Sequence, residues 1–418
     1  MSAGSCRRAR AMGSGLLLAA LLFCSTAFGA DTIKIAFIDP LSGPLESVGQ
    51  SNLRQYQAAV ERVNSRGGAR GLRFELVAFD SKSSADDALA ALESAIAQGI
   101  RYATQGVGAD VAAALIGAIG AHNDLNPSRS MLFVNYGARD PALTNEQCSF
   151  WHFRFDAHAG MRLEMLAAAI AEDEAIRRVY LLNPDNDAGL EAGAQASERL
   201  AHQRAGIEIV GDELYPVGQR LDFDTITESL AKARADAVVT AGRGGELAML
   251  VQAIHKAKLK TRVFALHAAE RGTPAAIGEA GAGRVTTVLT WHPNVANNQL
   301  EDFASAYKAK HEEDWMLLSG NLAVHMLATA IEGTRTLDPL RVAQMLEGID
   351  YLGPTGPVRM RRDDHQIFQP LFLATFTRKG ADGVKHDTEN SGFGWKTETR
   401  FDSDQTVLPT TCRMRRPG

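Results

Sequence analysis

The sequence predicts an α/β protein made of two tandem units, each a parallel β-sheet covered by helices. Three observations carry this prediction. From residue 32 onward, short β-branched or aromatic runs alternate with stretches of helical period. The alternation restarts after a linker at residues 137–149. The 418 residues exceed what one hydrophobic core usually serves, so two domains are expected.

The chain opens with a segment of a different kind. Arg7, Arg8 and Arg10 form a basic start, Leu16 to Phe23 an apolar run, and Ala27-Phe28-Gly29 a small-residue site, which together read as a secretory signal cleaved after Gly29 or Ala30. The apolar run is far shorter than the roughly 20 residues that span a bilayer. Cys24 lacks the small residue before it that a lipoprotein signal needs. Periplasmic location is therefore expected, without a lipid anchor. Removing the segment moves the net charge from -5 to about -8. Phosphate binding needs clustered Lys and Arg, so nucleic acid is excluded as a partner.

In order, the first unit reads as strand 32–39, a loop to residue 49, and a helix whose Leu53, Tyr56, Val60 and Val63 recur at helical spacing and stop at Gly67-Gly68. Strand 72–79 follows, then a helix opened by Ser83 or Ser84 with Asp86 and Asp87 in its first turn. Strand 100–104, helix 110–121 and strand 131–136 complete it. Residues 150–156 form an aromatic extended piece. The second unit reads as helix 158–172, strand 178–182, helix 189–204, strand 208–215, helix 223–234, strand 236–240, helix 245–257 and strand 262–268. Residues 285–291 and the helices to about residue 348 look like additions to one unit, and residues 357–362 and 371–378 like an antiparallel pair.

Only Cys148 and Cys412 follow the signal. In an oxidising compartment two cysteines pair or are buried separately as thiols, and the compartment favours the pair. No Cys-x-x-Cys is present, which removes the usual spacing for redox catalysis and structural zinc.

Enzymatic motifs are missing. There is no Gly-x-Ser-x-Gly and no Walker loop, and His311-Glu312-Glu313-Asp314-Trp315 fails the zinc-peptidase pattern at its last position. Gly106-Val107-Gly108 lacks the third glycine of a dinucleotide fingerprint. No cofactor or metal is called for. What recurs instead is a glycine-bearing turn after a strand: Leu41-Ser42-Gly43-Pro44, Gly106 to Asp110, Tyr136 to Arg139, Asn186 to Gly189, Gly242 to Gly245 and Ala268 to Gly272. In open α/β sheets ligands sit beyond the carboxyl ends of the strands, so three such turns per unit make two facing walls of a cleft.

The opening IKIAFIDPLSGPLESVGQ, the run Asn135-Tyr136-Gly137-Ala138-Arg139-Asp140-Pro141-Ala142-Leu143-Thr144, the stretch 180–189 and Gly353-Pro354-Thr355-Gly356-Pro357-Val358-Arg359 resemble type I periplasmic solute-binding proteins of the branched-chain and hydrophobic amino-acid uptake class. The likeness runs in order from residue 31 to about residue 364. It implies two Rossmann-like lobes joined by three hinge crossovers, near residues 148–151, 290–294 and 353–357. It also implies a non-enzymatic monomer that closes on a small solute and delivers it to an inner-membrane ABC permease. The lobes would comprise residues 31–148 with 292–354, and 149–291 with 355–418. An extracytoplasmic sensor working by the same closure is the other functional class.

Carried over by position, the resemblance implies ligand contacts at Ser42, Ala109, Asp110, Tyr136, Gly137, Arg139, Asp187, Ala188, Arg243 and Glu270. The turn at residues 108–112 lacks the family's hydroxyls, Arg139 lies near a usual threonine, and Ala188 and Arg243 near usual tyrosines. Glu270 is close to the family's ammonium-binding acid. A ligand carboxylate would then need Arg139 or Arg243, whose planar fork holds it by two hydrogen bonds. Tyr136, Phe133 or Trp291 would supply an apolar or stacking surface, although Phe133 sits in a buried-type strand. Asp187 either meets the ligand or caps the helix at Gly189. The expected ligand is a small carboxylate-bearing solute, a branched-chain or other amino acid, with an aromatic or other organic acid as the alternative.

Overall fold

The computed structural model describes residues 32–203, 206–218, 223–296 and 298–417. The basic and apolar leader and its cleavage point lie outside them. Among the described residues, no helix is long and apolar enough to cross a membrane.

The first half contains β1 (Thr32–Asp39), α1 (Glu46–Asn64), β2 (Arg73–Asp80), α2 (Ala85–Ala97), β3 (Tyr102–Gln105), α3 (Ala109–Leu125), β4 (Leu132–Asn135) and β5 (His152–Arg154). Its five strands are parallel, in the order β2-β1-β3-β4-β5. β1 lies between two neighbours and is covered on both faces, so residues 35–39 are all buried. In α1 the helical period turns Tyr56, Val60 and Val63 onto this sheet. Of the two serines at the start of α2, Ser84 is the cap: its Oγ accepts the Asp87 N–H at 3.3 Å.

The second half contains α4 (Ala159–Glu172), β6 (Arg178–Pro184), α5 (Asp187–Gln203), β7 (Glu208–Tyr215), α6 (Phe223–Ala233), β8 (Ala237–Thr240), α7 (Gly244–Lys256), β9 (Arg262–Ala265), α8 (Thr273–Ile277) and β10 (Val285–Leu289). Alternate residues of β6 serve opposite faces: Val179 and Leu181 join one apolar cluster with Met161 and Ile170, while Tyr180 and Leu182 join another with Leu230 and Val251. α1 and α5 are each brought close to the end of the strand before them through glycine. A Cβ at Gly49 would lie 1.8 Å from the Pro40 carbonyl oxygen, and one at Gly189 2.0 Å from that of Pro184.

Three further helices, α9 (Glu301–His311), α10 (Leu318–Thr334) and α11 (Pro339–Leu346), bury Tyr307, Leu327, Ile331 and Val342 in the first core. The C-terminal strands are β11 (Asp350–Gly353), β12 (Gly356–Met360), β13 (Ile367–Phe368), β14 (Leu371–Arg378) and β15 (Phe393–Phe401). The expected pairing of residues 357–362 with 371–378 does not form. β12 pairs with β11 and β13 in a small antiparallel sheet, while β14 lies between β10 and β15 in the larger sheet, whose order is β15-β14-β10-β9-β8-β6-β7. β14 is buried from Leu371 to Phe376, as an inner strand must be, and so cannot be half of an exposed hairpin.

The crossovers shift accordingly. β5 pairs with β4, so the chain leaves the first sheet after Arg154, beyond the expected 148–151, and enters α4 through residues 155–158. It returns between Leu289 of the second sheet and Trp291 of the first core. The last passage is at Gln369 and Pro370, between β13 and β14, rather than at residues 353–357.

After β15 the tail runs back over both halves. Leu408 packs on the second core and Met414 on the first, the Thr411 N–H donates to Asn145 Oδ1 at 3.0 Å, and Cys412 is disulfide-bonded to Cys148 across 264 residues of sequence. The paired reading of the two cysteines therefore holds in this structure.

At the carboxyl end of β1, Asp39 organises the neighbouring turns. Its carboxylate accepts the N–H groups of Gly106 (3.0 Å) and Val107 (3.2 Å) and the hydroxyl of Tyr136. Burial raises its pKa to about 6, against these hydrogen bonds, which favour the ionised form.

Two outcomes are expected. Replacing Cys148 and Cys412 by serine should lower the free energy of unfolding by about 5 kcal/mol in the loop-entropy account, measured by guanidinium titration; an unchanged midpoint would remove the tail from the stability of the fold. For Asp39, the folded pKa lies above the ordinary one, so its contribution is full below the unfolded pKa and is lost as pH rises through about 6. Relative to Asp39→Asn, the wild-type chain should lose about 2 kcal/mol between pH 4.5 and 7.5, and parallel pH profiles would show that the group is not titrating as described.

Candidate functional site

The turns beyond the carboxyl ends of the strands are braced from below by side chains of the strands themselves. Asp80 at the end of β2 accepts the Leu41 N–H (2.7 Å), the Ser42 N–H (3.3 Å) and the Ser42 hydroxyl (2.5 Å). Asn135 at the end of β4 accepts the N–H groups of Gly137 (3.0 Å) and Ala138 (2.9 Å). In the second lobe Asn183 of β6 accepts the Ala241 N–H at 2.8 Å. Each bond fixes a loop that would otherwise carry unpaired backbone groups.

One of these turns carries Arg139. Its Nε donates to Asp156 Oδ2 at 2.8 Å, and Asp156 lies on the first crossover. Asp156 Oδ1 accepts Arg162 Nη2 of α4, also at 2.8 Å. Arg162 is buried, donates through Nη1 to the Val288 carbonyl and through Nε to the Ala157 carbonyl, and is lowered to about 10 by that burial. Burial would raise Asp156, but Arg162 and Arg139 hold it below the usual carboxylate range. Nη1 and Nη2 of Arg139 take no hydrogen-bond partner among the described residues, and its side chain is 32% exposed.

Facing it is the turn after β9. Glu270 Oε1 meets Arg243 Nη2 at 2.8 Å and His267 Nδ1 at 2.8 Å. Burial pushes the Glu270 carboxyl up, but His267, Arg243 and, from the other lobe, Arg139 hold it well below its ordinary value. Burial also pushes the His267 imidazole down, against the carboxylate beside it. The Arg139 charge of the first lobe thus acts on Glu270 of the second, which pairs directly with Arg243 and His267.

The sequence-predicted residues divide. Arg139, Arg243 and Glu270 come together. Gly137 lies in the Arg139 turn, held by Asn135. Ser42 is engaged by Asp80; Ala109 and Asp110 open α3, and Asp187 and Ala188 open α5 on an exposed rim. None of these five has a hydrogen bond or ion pair to the Arg139–Glu270 cluster among the described residues. The cap of α5 is Asn186, whose Oδ1 accepts the Gly189 N–H at 2.9 Å, and not Asp187.

The expected stacking surface is absent from the cleft wall. Tyr136 is 1% exposed with its hydroxyl on Asp39, Phe133 is fully buried, and Trp291 packs edge-on against Trp315 in the first core. Asp156, Arg162 and His267 were missed. A charged residue inside the apolar runs 150–156 and 161–170 was the available signal for the first two; His267 had none. A depression of about 680 Å³ elsewhere, lined by Thr336, Asp338 and Arg341, lies on α10 and α11 rather than at the strand ends.

A family model described as "Periplasmic binding protein" matches residues 32–381. The chain is 27% identical, over 97% of its length and 98% of the relative's, to the Leu/Ile/Val-binding protein homolog 4 of Brucella abortus (strain 2308). It is 25% identical to the leucine-, isoleucine-, valine-, threonine- and alanine-binding protein of Pseudomonas aeruginosa, covering 80% of this chain and 87% of that one. The fold superposes with a TM-score of 0.84 on the leucine-, isoleucine-, valine-, threonine- and alanine-binding protein from Brucella ovis, closed conformation, at 24% identity, covering 93% of this chain and 100% of that one. With a TM-score of 0.73 and 18% identity it superposes on a solute-binding protein of an ABC transporter from Rhodopseudomonas palustris BisB5 in complex with 3,4-dihydroxybenzoic acid, covering 89% of this chain and 98% of that one. The two-lobed α/β architecture is thus that of type I periplasmic binding proteins, and the chain belongs to the periplasmic binding protein family.

Proposed function

We propose that this chain is the periplasmic receptor of an ABC-type importer, which captures a small carboxylate-bearing solute between its lobes by bending at the three crossovers and presents it to the permease as a monomer, without chemical turnover. The observation that carries this reading is the Arg139 guanidinium: its Nε is fixed by Asp156 while both terminal nitrogens have no partner among the described residues, which leaves a preorganised fork of donors for a carboxylate. Glu270 on the facing wall supplies an acceptor for an ammonium group, and the names of the relatives favour a branched-chain amino acid as the solute. An organic acid without an amine is the second reading. It is favoured by the arginine itself, which binds a carboxylate more strongly than neutral hydroxyl donors do, and by the bound dihydroxybenzoic acid of one structural neighbour.

A thermal-shift screen against amino acids, aromatic acids and aliphatic acids tests the reading, since a ligand that binds only the folded state raises the midpoint. For any ligand so found, Arg139→Ala should weaken calorimetric affinity by about 1.5 to 3 kcal/mol through loss of charge-assisted hydrogen bonds. Unchanged affinity would remove Arg139 from the site, and no shift with any carboxylate would remove the receptor reading.

A further inference from the structure

The turn that carries Glu270 is tied to the first lobe by a second set of contacts, away from Arg139. Glu313, in the connection between α9 and α10, has a side chain only 8% exposed. Its carboxylate accepts Arg54 of α1 through Nε at 3.1 Å and Nη2 at 2.8 Å, the Tyr307 hydroxyl of α9 at 2.5 Å, and the guanidinium of Arg271. Tyr307 and the neighbouring Trp315 belong to the first core. Arg271 belongs to the second lobe and directly follows Glu270. Asp314 repeats the arrangement: it accepts Lys308 Nζ at 2.8 Å and the Glu389 N–H at 2.5 Å, and the Glu389 carboxylate accepts the N–H groups of Gly272 (2.5 Å) and Ala275 (3.0 Å). Two adjacent acids of one first-lobe loop therefore reach this turn, Glu313 directly through Arg271 and Asp314 indirectly through Glu389 and the Gly272 N–H.

The partners of Glu313 are unequal in a way that matters. Arg54 binds it bidentately and Tyr307 adds a third bond, so the acid is already satisfied inside the first lobe. Arg54, Tyr307 and Arg271 hold its pKa at about 2 although burial would raise it, so it is charged at any physiological pH. Arg271 is 45% exposed and regains water when it leaves. The interlobe bond can therefore be made and broken without stranding a buried charge, the circumstance that makes ordinary buried pairs costly to open.

We propose that Glu313 is a positioning residue: a carboxylate anchored in the first lobe that catches Arg271 as the lobes approach and so holds the Glu270 turn against Arg139. Its role in ligand retention rests on the receptor reading above, but its effect on interlobe distance does not.

The test uses the full mature chain carrying spin labels at cysteines introduced for exposed Leu125 and Lys256, on α3 and α7, with the interlobe distance read by electron–electron double resonance. Arg271→Ala is expected to broaden the distribution, Arg271→Lys to restore it in part, and the unfolding midpoint of both to stay at the wild-type value, because Arg54 and Tyr307 still satisfy Glu313. For any solute found to bind, Arg271→Ala should raise the dissociation rate about three- to tenfold with the association rate unchanged, since the contact forms after encounter. An Arg271→Ala distribution that superimposes on the wild type overturns the proposal, and so does a fall in the midpoint without a change in distance, which would make the contact purely structural. Failure of the receptor reading would look different: no solute would bind, while the distance change would remain.

Discussion

The arrangement of the cleft depends on one buried carboxylate. Asp156 sits on the first crossover between two arginines, Arg139 from the first lobe and Arg162 from the second, and its charge makes both positions tenable. Removing one partner of such a buried pair costs about 3 to 5 kcal/mol because the other charge is left behind. The same network reaches the other crossovers. Arg162 donates to the Val288 carbonyl, two residues before the second passage. Gln366, ahead of the third passage, donates to the Asp156 carbonyl at 2.8 Å and accepts Arg154 Nε at 2.7 Å. Three segments far apart in sequence are thereby joined through two buried guanidinium groups and an amide.

Above this joint the two lobes solve the same problem with the same residue type. A turn beyond a strand end must pair its backbone N–H groups while leaving its tip open to solvent. Asn135 does this from below by folding its amide oxygen back onto the N–H groups of Gly137 and Ala138, and Asn183 by reaching across to the Ala241 N–H after β8. Asp39 and Asp80 do it with carboxylates. The turn tips carry Arg139, Arg243 and Glu270, which stay partly exposed because the backbone beneath them is held by other residues. The side chains that hold the backbone of these turns are thus different from those that stand at their tips.

Much of this was readable from local pattern. The runs that became β1, β3, β4, β6, β8 and β9 stand out because both faces are covered, and the turns after them are recognisable from glycine and position alone. Pairing was not readable in the same way. Residues 357–362 and 371–378 both look extended, but the period of two says nothing about which strand lies beside which, and β15 sits beyond a connection whose length hides the relation. Tyr136 shows the equivalent limit for the site. A tyrosine after a strand reads alike whether its ring enters the cleft or the core, and the buried Asp39, 97 residues earlier, draws it inward. Asp156 and Arg162 define each other as a pair only once the crossover and α4 are side by side.

The charges that meet across the cleft also rank what a ligand can contribute. Glu270 is already stabilised as an anion by Arg243, His267 and the more distant Arg139, so a further cation beside it adds less than it would to an isolated carboxylate, and it would have to approach a guanidinium to do so. Arg139 is in the opposite situation, with one nitrogen committed and two without a partner among the described residues. A carboxylate placed there gains two charge-assisted hydrogen bonds from a group whose entropy has already been paid by Asp156. On the proposed receptor reading, the larger share of binding energy would then come from the carboxylate end of the ligand at the first lobe. On the same reading, an amine at the second lobe would adjust selectivity through Glu270 Oε2, the oxygen that Arg243 and His267 do not contact.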